Sequence, residues 1–140
     1  GATYKVVHQL AAGVHLAAAL RDRVVDADVD VFVEGFRAIL EVVAARPQAW
    51  RLVYGHPDPD VAQYFGAWRR ATEQRCAELL RPTLAAWGTV DAEVKLPVLV
   101  ELWVSAGEGA VRTLLGGTGW TPESLGAVAG AAVFRALRGA

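Results

Sequence analysis

The sequence predicts an all-α protein, an antiparallel helical bundle of five long helices and one short one. Apolar residues recur at intervals of three and four along nearly the whole chain, which is typical of helices that bury one face. Alternating apolar and polar runs are missing, and the chain has no Asn-Gly hairpin signal. The 140 residues are 54% hydrophobic, which predicts one globular domain over residues 1–140.

The first two helices are predicted from their apolar faces and from the acidic residues between them. The first covers about residues 3–23, where Val6, Leu10 and Val14 fall on one face. The second starts at Asp28 or Asp30, whose carboxylates suit a helix N-terminus, and runs to about residue 45.

The next two helices are delimited by proline and glycine. Pro47 ends the preceding helix and opens a short one, which stops at Gly55. Asp58 is the expected N-cap of a long helix, with Pro59 at the first helical position. That helix is expected to continue to about Ala86.

Two further helices complete the predicted bundle. One covers about residues 91–115 and stops at a pair of glycines. Thr121, Pro122 and Glu123 form the strongest start signal in the chain: a hydroxyl cap, a proline at the first position and an acid. The last helix is expected to reach Arg138.

Composition and motifs exclude several classes of function. Fourteen basic and fifteen acidic residues give a net charge of −1, which argues against strong nucleic-acid binding by this chain. Its single cysteine, Cys76, excludes an intrachain disulfide and multi-cysteine zinc sites. With neither a catalytic motif nor a phosphate loop, we expect no enzyme activity, no cofactor and no metal. Charges within the apolar stretch 96–115 argue against a membrane span, so a cytoplasmic protein is expected.

Aromatic residues and one cation share a face of the predicted helix 59–86. Tyr64, Phe65 and Trp68 fall on this stripe, and Arg75 follows one to two turns later. A guanidinium on an apolar face needs an acceptor. Two interpretations stay open: a structural ion pair, for instance with Glu101, or an anchor for a polar ligand head group.

His8 belongs to a second stripe on the first predicted helix, together with Tyr4, Ala12 and His15. This face is either a partly exposed seam or the wall of a ligand pocket with hydrogen-bonding imidazoles.

Small residues are concentrated in the middle of the last two predicted helices. A glycine inside a helix costs up to about 1 kcal/mol relative to alanine, so a compensating close contact is expected. That contact is either tight packing within the chain or a four-helix dimer interface, and the sequence interpretation adopts the dimer. The interface residues it predicts are Leu102, Ala106, Gly109, Thr113, Gly126, Gly130, Val133, Phe134 and Leu137.

Several segments resemble the regulatory domain of TetR-family transcriptional regulators. The run from Ala45 to Tyr54 resembles that domain's short helix, Leu80-Arg81-Pro82 the end of its next long helix, and residues 97–112 its penultimate helix. Thr121-Pro122-Glu123, followed by an Ala/Gly-rich helix, resembles its last helix. The resemblance implies dimerisation through the last two helices, a small-molecule cavity between the central helices and an N-terminal helix-turn-helix that binds DNA. The sequence before Tyr4 shows no such helix-turn-helix.

The resemblance therefore implies a ligand-sensing and dimerisation domain whose DNA contact is made by a domain missing from this chain. The expected ligand is small and mostly apolar, with one polar end. The ligand-binding residues expected around one cavity are Phe36, Tyr64, Phe65, Trp68, Arg75, Glu101, Trp103 and His8. The alternative is a stand-alone helical protein that binds an apolar ligand without any link to DNA.

Overall fold

The computed structural model describes residues 28–55 and 59–140. The first predicted helix, His8 and the expected N-cap Asp58 lie outside the described residues. Within them the prediction of an all-α protein is confirmed, since they contain helices and no strand. The helices are α1 (Val29–Ala45), α2 (Pro47–Gly55), α3 (Pro59–Ala86), α4 (Ala92–Leu115) and α5 (Pro122–Arg138).

Helix starts follow the predicted chemistry at two positions and depart from it at a third. One carboxylate oxygen of Asp28 accepts the backbone N–H groups of Asp30 and Val31 at the start of α1. At the start of α5 the Thr121 hydroxyl accepts the N–H of Ser124, whose own hydroxyl accepts the N–H of Thr121. Asp91, before α4, instead adopts a left-handed backbone (φ 54°) and its side chain makes no capping bond.

Helices α1 and α5 form the closest helix pair of the described chain. A Cβ built on Gly126 would stand 2.9 Å from the backbone nitrogen of Arg37, and one on Gly130 only 2.5 Å from the Cα of Val33. Real Cβ atoms essentially never approach backbone this closely, so only glycine allows this spacing. As the chain advances along α5 its contacts move back along α1, so the two helices are antiparallel.

This contact corrects part of the predicted dimer interface. Gly126, Gly130, Val133 and Leu137 are all buried within the chain, and Leu137 has no exposed surface. The glycine face of α5 is filled by α1, so these four residues are not available to a second copy. Packing within the chain, the alternative left open above, accounts for them.

Aromatic rings continue this core between α1, α4 and α5. Phe32 lies with its ring centroid 5.2 Å from that of Trp103 and 5.8 Å from that of Phe134. Trp87, just after α3, meets Phe134 edge-on, and the Arg138 guanidinium lies over the Trp87 ring. Phe134, another predicted dimer residue, is therefore half-buried among rings of its own chain.

Helix α3 is joined to the rest mainly along α4, and only its C-terminal end enters the core. Its buried residues are Leu79, Leu80, Thr83 and Leu84. The ion pair Arg81–Glu93 connects α3 and α4 near this end, with Nε and Oε1 2.9 Å apart. Between Pro59 and Cys76 every residue of α3 is half-buried or exposed.

Candidate functional site

A cluster of charged side chains lies between α3 and α4, and Arg69 is its centre. The Nη2 of Arg69 donates to both carboxylate oxygens of Glu101 at 2.9 Å, and its Nη1 donates to Glu108. Its Nε lies 3.0 Å from the carboxylate of Glu73, one turn further along α3. A single guanidinium thus holds three carboxylates, two of them on the neighbouring helix.

Ser105 completes this cluster on α4. Its hydroxyl accepts a hydrogen bond from Arg69 at 3.2 Å and donates one to Glu101 at 2.9 Å. Glu101, Ser105 and Glu108 follow one another at intervals of four and three residues, so they form one face of α4 toward α3. The Ser105 hydrogen bond and the Arg69 charge hold the pKa of Glu101 below its ordinary value.

The cluster has more negative than positive charge. Arg112 is its second cation, with Nη1 3.9 Å from a carboxylate oxygen of Glu108. Two guanidiniums therefore face the three carboxylates of Glu73, Glu101 and Glu108. We refer to Arg69, Glu73, Glu101, Ser105, Glu108 and Arg112 as the Arg69 cluster.

Three aromatic side chains connect α2 to the N-terminal part of α3. The ring of Tyr54 contacts Phe65 edge-on at 5.5 Å, and Phe65 contacts Trp68 edge-on at 6.1 Å. Burial raises the pKa of Tyr54, and the charge of Arg112 offsets part of that effect. The aromatic row and the Arg69 cluster therefore adjoin one another where α2, α3 and α4 meet.

The indole of Trp68 contains an unusual polar atom. Its Nε1 is buried and has no hydrogen-bond partner, and the Nε1 of Trp50 in α2 is in the same state. Leaving a buried donor unpaired costs about 1–3 kcal/mol, so such groups are rare in proteins. An acceptor that reached either nitrogen would recover this energy.

The structure divides the predicted ligand-binding residues among different surroundings. Phe65 and Trp68 lie together in the aromatic row, and Glu101 belongs to the Arg69 cluster. Phe36 is a core residue of α1, and the ring of Trp103 lies against Phe32. Tyr64 is 57% exposed. His8 lies outside the described residues.

Arg75 has neither of the two partners proposed for it. Its Nη1 lies 3.7 Å from a carboxylate oxygen of Glu78 on its own helix, while Glu101 is bound by Arg69. The suggested ion pair between Arg75 and Glu101 is therefore wrong.

Sequence reasoning missed Arg69 and Tyr54. The acidic face of α4 was the available signal for Arg69, because an acidic row facing another helix requires a cation opposite it. Tyr54 gave no comparable signal, since a tyrosine at the end of a short helix occurs in many settings.

A row of exposed apolar side chains follows α4 on another face. Val90, Val94, Val98 and Leu102 recur every four residues and are between 51% and 78% exposed, and Val128 on α5 is 55% exposed. Ala106 and Gly109 continue the row as half-buried residues, and Thr113 as an exposed one. These four predicted dimer residues of α4, from Leu102 to Thr113, therefore remain at the surface of the chain. We call Val94, Val98, Leu102 and Val128 the apolar row.

Other kinds of site were sought in the same residues. Within 28–55 and 59–140, no group of three or more His, Cys, Asp or Glu side chains is arranged to hold a metal ion. Among the helices described, none is both long and apolar enough to cross a membrane. Burial, with a smaller effect of the Glu73 charge, raises the pKa of the Cys76 thiol to about 12, so this thiol is a poor nucleophile.

No protein-family model, curated protein or solved structure matches the chain. The resemblance to TetR-family regulators rests on the sequence segments alone.

Proposed function

We propose that this chain is the small-molecule-sensing and dimerisation domain of a TetR-like transcriptional regulator. In this proposal, ligand binding alters the DNA binding of a helix-turn-helix domain that the chain does not include. The observation that supports sensing best is the buried, unpaired Nε1 of Trp68 beside an aromatic row. A ligand acceptor would pair this donor, and the rings of Phe65 and Tyr54 offer apolar contact to the rest of the ligand.

The charges near this row bear on the class of ligand. The Arg69 cluster has one more carboxylate than guanidinium, and Arg69 itself is fully engaged with carboxylates and Ser105. An anionic head group would face net negative charge here, so we infer a neutral ligand with a hydrogen-bond acceptor at one end.

Octanamide and octanoate are suitable probes, since they share a chain length and differ in head-group charge. Isothermal titration calorimetry should show tighter binding of octanamide to the chain. Replacing Trp68 by Phe removes the donor but keeps the ring, and should weaken octanamide binding about fivefold to tenfold, the worth of one hydrogen bond.

Trp87→Phe is the matched control, because Trp87 is also half-buried but contacts Phe134 and Arg138 instead. It should leave octanamide binding unchanged. If neither probe binds at millimolar concentration, or if both variants weaken octanamide equally, the sensing part of the proposal fails.

Dimerisation is supported by the apolar row. A soluble chain gains free energy by covering such a surface, at about 25 cal/mol for each Å² of apolar area removed from water. Val94, Val98 and Leu102 lie on α4 and Val128 lies on α5, so two copies could pair the last two helices of each chain.

The DNA link has its own direct test in the coding sequence that precedes this segment. A helix-turn-helix pattern there supports the TetR-like proposal. A different upstream sequence, combined with octanamide binding, favours the alternative of a helical ligand-binding protein that has no link to DNA.

A further inference from the structure

We propose that the N-terminal part of α3, residues 59–77, is a hinged arm that the Arg69 cluster holds against α4 and that high ionic strength releases. This proposal concerns the mechanics of the chain and does not depend on the proposed function.

The distribution of burial along α3 is the first argument. The helix has 28 residues, yet all its buried side chains lie between Leu79 and Leu84. The arm has only half-buried and exposed side chains, so little apolar burial opposes its release. Its aromatic contact to α2 consists of one edge-on pair, Phe65 with Tyr54.

The second argument is the position of Pro82 inside α3. Proline has no N–H, so the carbonyl of Glu78 lacks the helical hydrogen bond that residue 82 would normally donate. Bends in long helices occur at such positions. The weakest turn of α3 therefore begins at Glu78, where the arm meets the anchored end.

The third argument is the arrangement of charge. Arg69 lies in the middle of the arm and its partners Glu101 and Glu108 lie on α4, so these contacts cross the gap that opening would create. Arg69 retains 27% side-chain exposure and Glu101 retains 59%, so dissolved salt can screen the attraction between them. At the other end of the helix pair, Leu79 to Leu84 are held by apolar packing that salt does not weaken.

The single cysteine provides a native reporter of the arm. Cys76 lies between Arg69 and the hinge, and burial keeps its thiol protonated at neutral pH. Opening would transfer the thiol to water, where its pKa returns toward the ordinary value and its reaction with N-ethylmaleimide accelerates.

The test compares N-ethylmaleimide labelling rates of the chain, of Arg69→Gln and of Arg81→Gln. Arg81→Gln is the matched control, since Arg81 also pairs with α4, through Glu93, but at the anchored end. We expect Arg69→Gln to raise the rate about tenfold and Arg81→Gln to change it by less than about twofold. Raising the salt from about 50 mM to 1 M should accelerate the unmodified chain and the control, and Arg69→Gln much less.

Hydrogen exchange separates arm opening from unfolding. In Arg69→Gln, amide protection should fall within residues 60–77 and remain in α1 and α5. Equal labelling rates in the two variants, or loss of protection spread over α1 and α5, would overturn the proposal. If Arg69→Gln loses its helical circular dichroism, Glu108→Gln takes its place with the same expected result, because it removes one cross-helix charge and keeps the arginine.

Discussion

Gly130 lies so close to Val33 that a Cβ on the glycine would stand 2.5 Å from the valine Cα. This relationship explains why α5 keeps glycine in its interior although glycine weakens a helix. The cost is offset by the close approach of two helix backbones and by the burial of Val133 and Leu137 beside them. A bulky side chain at position 130 would therefore disturb the fold of the chain itself.

Gly130→Ala should destabilise the chain by about 1–3 kcal/mol, because the added methyl group forces the backbone of α1 away. Gly107→Ala is the matched control, since a Cβ there meets no atom within 4 Å. It should stabilise the chain by up to about 1 kcal/mol through helix propensity. Urea unfolding followed by circular dichroism measures both. Similar effects of the two substitutions would contradict the α1–α5 contact described here.

Leu102→Glu should shift the chain from dimer toward monomer, because it places a charge in the apolar row. Leu52→Glu provides the control: Leu52 is 69% exposed on α2, away from α4 and α5, and its replacement should leave assembly unchanged. Sedimentation velocity at micromolar concentration distinguishes the two forms. A monomeric unmodified chain, or equal effects of both substitutions, would count against dimerisation through α4 and α5.

Thr121→Ala should cost about 0.5–2 kcal/mol of stability, because the first turn of α5 loses the hydroxyl that accepts the N–H of Ser124. The exposed Thr118, in the preceding loop, supplies the comparison, and Thr118→Ala should change stability by less than about 0.5 kcal/mol. Urea unfolding at constant pH measures the difference. Equal effects would mean that the cap contributes nothing.

Glu101→Gln should make the stability of the chain less dependent on pH in the acidic range. The folded-state pKa of Glu101 lies below its ordinary value of 4.5, so its ionised form stabilises the folded chain above that pH. This contribution is lost as the pH falls through the depressed folded-state pKa. The unmodified chain should thus exceed Glu101→Gln in urea midpoint at pH 7, and the difference should shrink below pH 4.5.

Glu93→Gln serves as the control for this titration, because Glu93 also accepts from an arginine of α3 but is 70% exposed. A pH-independent difference between the unmodified chain and Glu101→Gln would show that the carboxylate charge has no part in the effect.

Helix starts and ends were accessible from the sequence because they depend on neighbouring residues. The hydroxyl of Thr121 and the carboxylate of Asp28 cap the helices that follow them, and Pro122 begins its helix. Ser124 rather than an acid closes the capping box at α5, which a hydroxyl at that position can also do.

Partners across helices were not accessible in the same way. The glycine face of α5 was recognised, but a smooth face is equally suited to a helix of the same chain or of a second one. Similarly, an acidic face on α4 predicts a cation opposite it, but Arg69, Arg75 and Arg81 are all on α3. The register of α3 against α4 selects Arg69, and that register depends on the packing of Leu79 to Leu84 in the core.

The pairing of α1 with α5 also determines when the chain can fold during its synthesis. These helices are separated by almost the entire described sequence, and α1 cannot meet its glycine partner until α5 has been made. At about 5–20 residues per second, the ribosome needs roughly 5–20 seconds to travel from the end of α1 to the end of α5. For that time Phe32 and Phe36 lack the helix that covers them, so the nascent chain presents an apolar surface to which a chaperone can bind.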